Sequence, residues 1–350
     1  MTEESIQSER GIEKHVWIED IKANDRIHGM YLARDKKVGY TKKGDPFLSI
    51  TLSDRTGDLE SRVWENALDF ASQFKEGDIL EVEGNATSYR NRVQITLSSL
   101  KISDGKWDPS IFLETTAGDT GEMIRALRAI IMEIKDPHLE KLCERFLSDH
   151  LFMDLFKKAP AAKNFHHNYL GGLLEHTLSV CRMALSVTAQ YPQLEKDLLI
   201  AAAFLHDIGK IREFKYARCI DYTDEGRLLG HLVVGVAMLD EKLAGIKHFP
   251  GETALRLKHL ILSHHGQYEF GSPKRPKFLE AFALHLIDDL DAKMNGLSRY
   301  MLKDIQEGPW TEFNRMFERY LLKDKIGEVD DASLSAPADD GQKVLFTSKP

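Results

Sequence analysis

Residues 204–210 read FLHDIGK, at the end of an uninterrupted apolar run covering 198–205. Eight apolar residues fall well short of the roughly 20 that cross a bilayer. Helical spacing predicts instead a helix over 197–207 that closes on His206 and Asp207. An adjacent imidazole and carboxylate at one helix end can serve two ions, His206 binding one while the carboxylate of Asp207 spans both. A lone His–Asp dipeptide carries little, because it arises by chance in many proteins. Its setting carries more. Twelve of the 14 histidines lie from His138 onward, in an ordered series. GGLLEHTLSV holds His176, AAFLHDIGK holds His206 and Asp207, and LLGHLVVG holds His231. LILSHHGQ then holds His264 and His265, and ALHLIDDLDAKM offers Asp288, Asp289 and Asp291. Each interval has room for one helix and its return. Separate helices of an all-α scaffold can therefore bring the set together, as carboxylate–histidine sites are built in bundles. Such ligands suit Mn²⁺, Fe²⁺, Co²⁺ or Zn²⁺.

Around this series the periodicity is helical from about residue 121 to 322. Helices are predicted over 121–134, 137–149, 172–190, 197–207, 227–243, 252–264, 276–302 and 311–322. Upstream the pattern changes to short β-type runs at 27–33, 47–52, 59–64, 79–87 and 93–100, with hairpin turns at 54–58 and 88–92. Between the third and fourth runs, ENALDFASQF (65–74) has helical spacing. Five strands with a helix between the third and fourth is the layout of an OB-fold barrel. The expected organisation is an N-terminal extension (1–14), the five-stranded OB-fold β-barrel (15–105), a Pro/Gly/Thr-containing linker (106–120), an all-α domain (121–325) and a disordered tail (326–350).

The chain has 47 Lys+Arg against 55 Asp+Glu, a net charge of −8, which argues against a protein that coats a polyanion. The barrel stretch 15–104 is itself slightly acidic, with 13 basic and 15 acidic residues, yet 34–43 holds five basic residues and one acidic. That pattern fits a local grip on a strand. Three cysteines far apart in sequence and a polar, acidic N-terminus predict reduced thiols and a cytoplasmic location. Nothing predicts a membrane contact.

The series His176, His206–Asp207, His231, His264/His265 and Asp288 resembles the HD-domain metal-dependent phosphohydrolases. More closely, HHNYLGGLLEHT (166–177), FLHDIGK, LSHHG (262–266) and LHLIDDLDAKM (284–294) resemble the YhaM-type 3′–5′ exoribonucleases. That family joins an N-terminal OB-fold to a C-terminal HD domain, so the resemblance spans about residues 16–322. It implies hydrolysis of phosphodiester bonds in single-stranded RNA, with single-stranded DNA as a further substrate and a homo-oligomer left open. It implies two divalent ions, Mn²⁺ favoured. His176, His206, Asp207 and Asp288 would hold one. Asp207 would bridge to a second on His231 and His264, with His265 a further ligand or a phosphate contact; Asp289 is a rival to Asp288. Among catalytic residues, Asp207 carries the bridge and Lys210 could reach a phosphate oxygen. His166 and His167 would contact substrate where Gly171 and Gly172 let its backbone approach a helix N-terminus. Glu175 and Asp291 would orient ligands from behind.

The barrel would stack bases on Tyr31, Trp64 and Tyr89 and track phosphates with Arg34, Lys36, Lys37, Lys42, Lys43, Arg62, Arg90 and Arg92. Tyr40 is a further ring, and Phe47 reads as barrel core. Other readings are an HD phosphodiesterase or nucleotidase of small nucleotides, a di-iron oxygenase, and a non-catalytic OB/HD nucleic-acid-binding protein. The strand-binding barrel and Lys210 favour phosphodiester chemistry on a polymer, and the complete ligand series argues against loss of catalysis.

Overall fold

The computed structural model describes residues 15–89, 92–103, 105, 107–304 and 306–323. The predicted N-terminal extension, the C-terminal tail, and Arg90 and Asn91 of the predicted 88–92 turn lie outside the described residues.

The β-type runs form a closed barrel in the order β1(Arg26–Tyr40), β2(Pro46–Asp54), β3(Gly57–Val63), β5(Arg92–Ile102), β4(Ile79–Tyr89), with α1(Ala67–Gln73) between β3 and β4. Its inner face is the alternating set Ile27, Leu48, Ile50, Leu52, Val63, Leu80, Val82 and Ile95, all buried. Strand β1 runs seven residues past the expected end at Ala33. A register shift between Ala33 and Lys36 lets it carry the charged stretch onward against β2.

The stretch expected to be a linker is seated on the barrel at one end and on the helical part at the other. Phe112 is buried against Leu32 and Ile79 of the barrel. The Thr116 N–H donates to the Leu170 carbonyl at 2.8 Å.

The helical part is built from α2(Thr120–Ile131), α3(Pro137–Leu147), α4(His150–Phe156), α5(Gly172–Gln190) and α6(Lys196–Leu205). It continues with α7(Lys210–Glu213), a hairpin of β6(Phe214–Lys215) and β7(Asp221–Tyr222), α8(Asp224–Leu228), α9(Gly230–Leu243), α10(Gly251–Ser263) and α11(Leu279–Lys303). Asp119, Asp136 and Asp149 cap α2, α3 and α4 through their side chains. The apolar run explains itself: every residue from Leu198 to Leu205 is fully buried, so α6 is the axis around which the other helices pack.

Two predicted helices come out differently. The one expected over 227–243 is broken at Gly230, which takes φ +71°, a conformation that favours glycine. The one expected over 311–322 is absent. There Asn314 accepts from the N–H groups of Met316 and Phe317 at 3.0 and 3.1 Å, and bridges join Trp310 to Leu322 and Asn314 to Arg319. A side chain that bonds its own backbone competes with the helix for those donors. The described residues fall into two compact units, 15–295 and 296–323. Among the described residues no helix is long and apolar enough to cross a membrane, and Cys143, Cys181 and Cys219 are free.

Candidate metal centre and nucleic-acid face

His206 and Asp207 come directly after the last residue of α6, at the bottom of an apolar core and almost without solvent contact. Burying a carboxylate there is costly unless cations meet it. His176 reaches the same point from the second turn of α5, His231 from the first turn of α9, and His264 and His265 from the end of α10. Asp288 comes from α11.

The ligand atoms sort into two groups that share Asp207. On one side His176 Nε2 lies 3.1 Å from His206 Nε2, 3.1 Å from Asp288 Oδ1 and 3.5 Å from Asp207 Oδ2. On the other, Asp207 Oδ1 lies 3.5 Å from both His231 Nε2 and His264 Nε2, and His231 Nε2 lies 3.2 Å from His265 Nε2. Bonds of about 2.1 Å at right angles put two ligand atoms about 3 Å apart, so these separations suit a shared cation on each side.

The opposite ring nitrogens fix the tautomers. His206, His264 and His265 each donate Nδ1–H to a backbone carbonyl, those of Ala203 (2.8 Å), Ile261 (2.8 Å) and Phe270 (3.0 Å). Carbonyls only accept, so Nδ1 carries a proton, and in the neutral ring that a metal requires Nε2 carries the lone pair. His176 and His231 donate the same way to Asp291 (2.7 Å) and Glu213 (3.0 Å). All five Nε2 lone pairs therefore converge. Asp207 Oδ1 and His264 Nε2 are buried and have no hydrogen-bond partner among the described residues. Facing lone pairs repel, and a cation between them removes that repulsion. The donor set therefore fits metal ions on both sides of Asp207.

Electrostatics says the same. Burial alone would lower His206, but Asp207 and Asp288 outweigh it and push its pKa up to about 10. Burial alone would raise Asp207, and Lys210 with His206 holds it well below the usual carboxylate range. A proton on His206 thus sits where the geometry suits a metal. Lys210 is buried, its ammonium 2.5 Å from Asp207 Oδ2.

Asp289 pairs with Lys293 at 2.7 Å on the exposed side of α11, so Asp288 is the aspartate that faces the cluster. The expected substrate contact at His167 is not what the geometry displays. His167 is buried; its Nε2 donates to Asp291 Oδ2 at 2.9 Å, behind His176, and its Nδ1 faces the Tyr169 hydroxyl. Gly172 is small for an internal reason: a Cβ there would lie 2.0 Å from the His167 carbonyl oxygen. That space is filled by the chain's own backbone, not left for substrate. His166 does face the cluster, its ring 5.7 Å from that of His176. Burial, then Lys210, pushes its pKa down to about 3, so it is neutral. Glu175 lies off the cluster, accepting from the Thr116 hydroxyl at 2.5 Å.

Sequence reasoning missed Glu213, which receives both the backbone N–H and the ring Nδ1–H of His231 at 3.0 Å. It also missed Ser179, whose hydroxyl donates to Asp291. Gly209 gains a reason as well. A Cβ there would meet the His231 carbonyl oxygen at 2.1 Å, so the glycine of FLHDIGK lets α7 press on α9.

On the barrel, register places Lys37, Ser49 and Arg62 side by side, with Gly39 beside Phe47. The Phe47 ring lies over Gly39 and 5.3 Å from the half-exposed ring of Trp64, and the Arg62 guanidinium lies within 6 Å of both. Phe47 therefore belongs to the outer face, contrary to its reading as core. Tyr31 is fully buried, its hydroxyl donating to the Val16 carbonyl at 2.6 Å, and offers no ring to a base. Lys36 donates to the carbonyls of Ala71 and Phe74 at the end of α1, which takes it out of the set of strand-tracking cations. Arg34 lies 3.7 Å from Asp58; Lys37, Tyr40, Lys42, Lys43, Tyr89 and Arg92 are exposed.

Fold and site together define an HD-domain protein of the metal-dependent phosphohydrolase type that carries an OB-fold module. Residues 173–293 match the HD domain family and residues 25–103 match the OB-fold nucleic acid binding domain family. Over 292 residues the chain is 36% identical to the 3′–5′ exoribonuclease YhaM of Bacillus subtilis, covering 82% of this chain and 91% of that one. Over 307 residues it is 34% identical to the YhaM of Shouchella clausii, covering 87% and 92%. The chain belongs to the YhaM 3′–5′ exoribonuclease family. Among solved structures, similarity extends to the second OB-fold domain of replication protein A from Methanococcus maripaludis (24% identity, 27% of this chain and all of that one, TM-score 0.21). It extends also to the single-stranded DNA binding protein of Thermus aquaticus (24% identity, 24% and 42% covered, TM-score 0.22).

Proposed function

We propose that this chain is a metal-dependent 3′–5′ exoribonuclease that shortens single-stranded RNA, with two ions held around Asp207. The observation that carries the reading is the convergence of four Nε2 atoms, those of His176, His206, His231 and His264, to within 3.5 Å of the oxygens of one buried carboxylate. His176, His206, Asp207 and Asp288 would hold one ion, and Asp207, His231, His264 and His265 the other. When bound, such ions supply Lewis acidity, making a water acidic enough to act at neutral pH and offsetting charge on the phosphate. The remaining work falls to the chain. The Nδ1–H anchors keep each imidazole aimed inward, and Asp291 and Glu213 strengthen two of them as donors. Lys210 holds Asp207 ionised. His166, neutral and facing the cluster, is placed to donate a hydrogen bond to substrate. The face built from Phe47, Arg62 and Trp64 supports stacking and phosphate tracking along a strand.

The test is a 5′-labelled single-stranded RNA incubated with Mn²⁺. A ladder that shortens from the 3′ end, and its loss in Asp207→Asn, is the expected result. Absence of cleavage, or an unchanged ladder in that variant, refutes the proposal; a single-stranded DNA of the same sequence shows whether the sugar matters.

A further inference from the structure

The turn that ends α10 does more than present His264 and His265. It leads straight into 267–277, QYEFGSPKRPK, a segment outside both the metal centre and the barrel face. This loop carries Lys274, Arg275 and Lys277 against Glu269, so it is +2 in a chain of −8. All three cations are exposed. Two aromatic rings stand out beside them: Tyr268 is 60% and Phe270 66% exposed. The Arg275 guanidinium lies 5.4 Å from the Tyr268 ring centre.

The loop is not loosely attached. The Phe270 carbonyl accepts His265 Nδ1–H at 3.0 Å, so the segment is tied to an imidazole of the cluster. At its middle Ser272 is buried, its hydroxyl 2.6 Å from the Lys274 carbonyl and 3.0 Å from that of Leu262. At its start Gly266 takes φ +78° with the His285 ring packed where a Cβ would be. The backbone is thus pinned at three points while the rings and cations face outward.

Exposed rings interleaved with cations are what single-stranded nucleic acid asks for: base faces stack, phosphates find charge, and no sequence is read. We infer that 267–277 is a second strand-binding site, on the helical domain itself, which holds the last nucleotides of an RNA next to the cluster. The barrel grips the strand at a distance, and this loop seats its 3′ end. The inference rests on the proposed ribonuclease activity for the identity of the strand.

The test measures binding of a short 3′-fluorescent single-stranded RNA with metals chelated, so that no cleavage intervenes, across a range of salt. Lys274→Gln/Arg275→Gln/Lys277→Gln should reduce the salt slope by about 2, since each phosphate contact on a single strand contributes about 0.7. Tyr268→Ala/Phe270→Ala should weaken affinity roughly tenfold per ring. Both variants should melt at the temperature of the wild type. A 4-thiouridine in the last nucleotides should crosslink to 267–277, and one at the 5′ end should not. Variants that melt normally but keep wild-type affinity and slope overturn the inference. A change in sedimentation with RNA affinity intact also overturns it, marking the patch as a protein contact. Wild-type protein that binds the RNA but never shortens it with Mn²⁺ would sink the nuclease reading alone.

Discussion

Asp291→Asn is the most informative single change, because Asp291 stands behind His176 and faces only one of the two groups around Asp207. Its Oδ2 accepts from His176 Nδ1 at 2.7 Å and from His167 Nε2 at 2.9 Å, and its Oδ1 accepts from Ser179. An amide has one oxygen where the carboxylate has two, so one set of donors loses its acceptor. If the NH₂ faces His176, two donors meet and the imidazole is driven to move its proton to Nε2, the atom aimed at the cluster. If the oxygen faces His176, a charge-assisted bond of about 1.5–3 kcal/mol becomes a neutral one of about 0.5–1.5 kcal/mol. The difference, about 1–2 kcal/mol, is roughly a 5- to 30-fold loss in affinity at 25 °C, within the 10–100-fold range of such outer partners. Chelator competition with Mn²⁺, read by electron paramagnetic resonance, measures each affinity separately. On the proposed two-ion arrangement, an ion held with His176 should bind more weakly, while one held with His231, His264 and His265 should not, because Asp291 makes its contacts with His167, His176 and Ser179. Equal weakening of both, or no change, refutes the reasoning.

Gly209→Ala should lower the melting temperature by several degrees and reduce Mn²⁺ binding, because the new Cβ meets backbone of His231 and Gly235 that cannot step aside. Calorimetry with and without metal reads both effects. Asp54 accepts from the N–H of Ile18 at 2.9 Å and of Thr56 at 2.7 Å, and from the Thr56 hydroxyl. Burial would raise it, but His15 and these donors hold it below the usual carboxylate range. A depressed folded pKa contributes stability above the unfolded value of about 3.9 that disappears as pH falls through the folded one. Asp54→Asn should therefore cost stability at pH 7, with the gap to wild type closing in acid, as followed by thermal melts from pH 7 to 2. Trp64→Ala should weaken single-stranded RNA binding by about 1–3 kcal/mol, whereas Tyr31→Phe should leave it as it was, its ring being inside the barrel. Fluorescence anisotropy separates the two.

The architecture was legible wherever periodicity was long. The five β-type runs and the apolar run of α6 appear in the structure close to where they were expected, since burial on one face or all faces writes itself into the residue pattern. The residues that the structure gathers around Asp207 were legible because they stand out as polar residues in or at the ends of apolar helices. What was hidden depends on contacts across the fold. Glu213 supports His231 over a gap of 18 residues, and nothing local distinguishes it from a solvated acid. His167 stands next to His166 in sequence, but φ +45° turns the backbone there, so the first imidazole faces the cluster and the second faces its rear. Lys36 has the composition of a phosphate-tracking cation; only the packing of α1 against the barrel shows that its partners are carbonyls.

The full burial of α6 has a dynamic consequence. Amides along such a helix exchange with solvent only through opening of the whole domain, so its end is among the stillest points of the protein. Asp207 hangs from that end. In the proposed centre its carboxylate would act as a fixed datum, and any adjustment between substrate and product would fall to His231 behind Gly230 and His265 beside Gly266. Hydrogen exchange should be slowest on α6 and fastest at those two glycine-bounded turns, making the centre rigid in the middle and compliant at its rim.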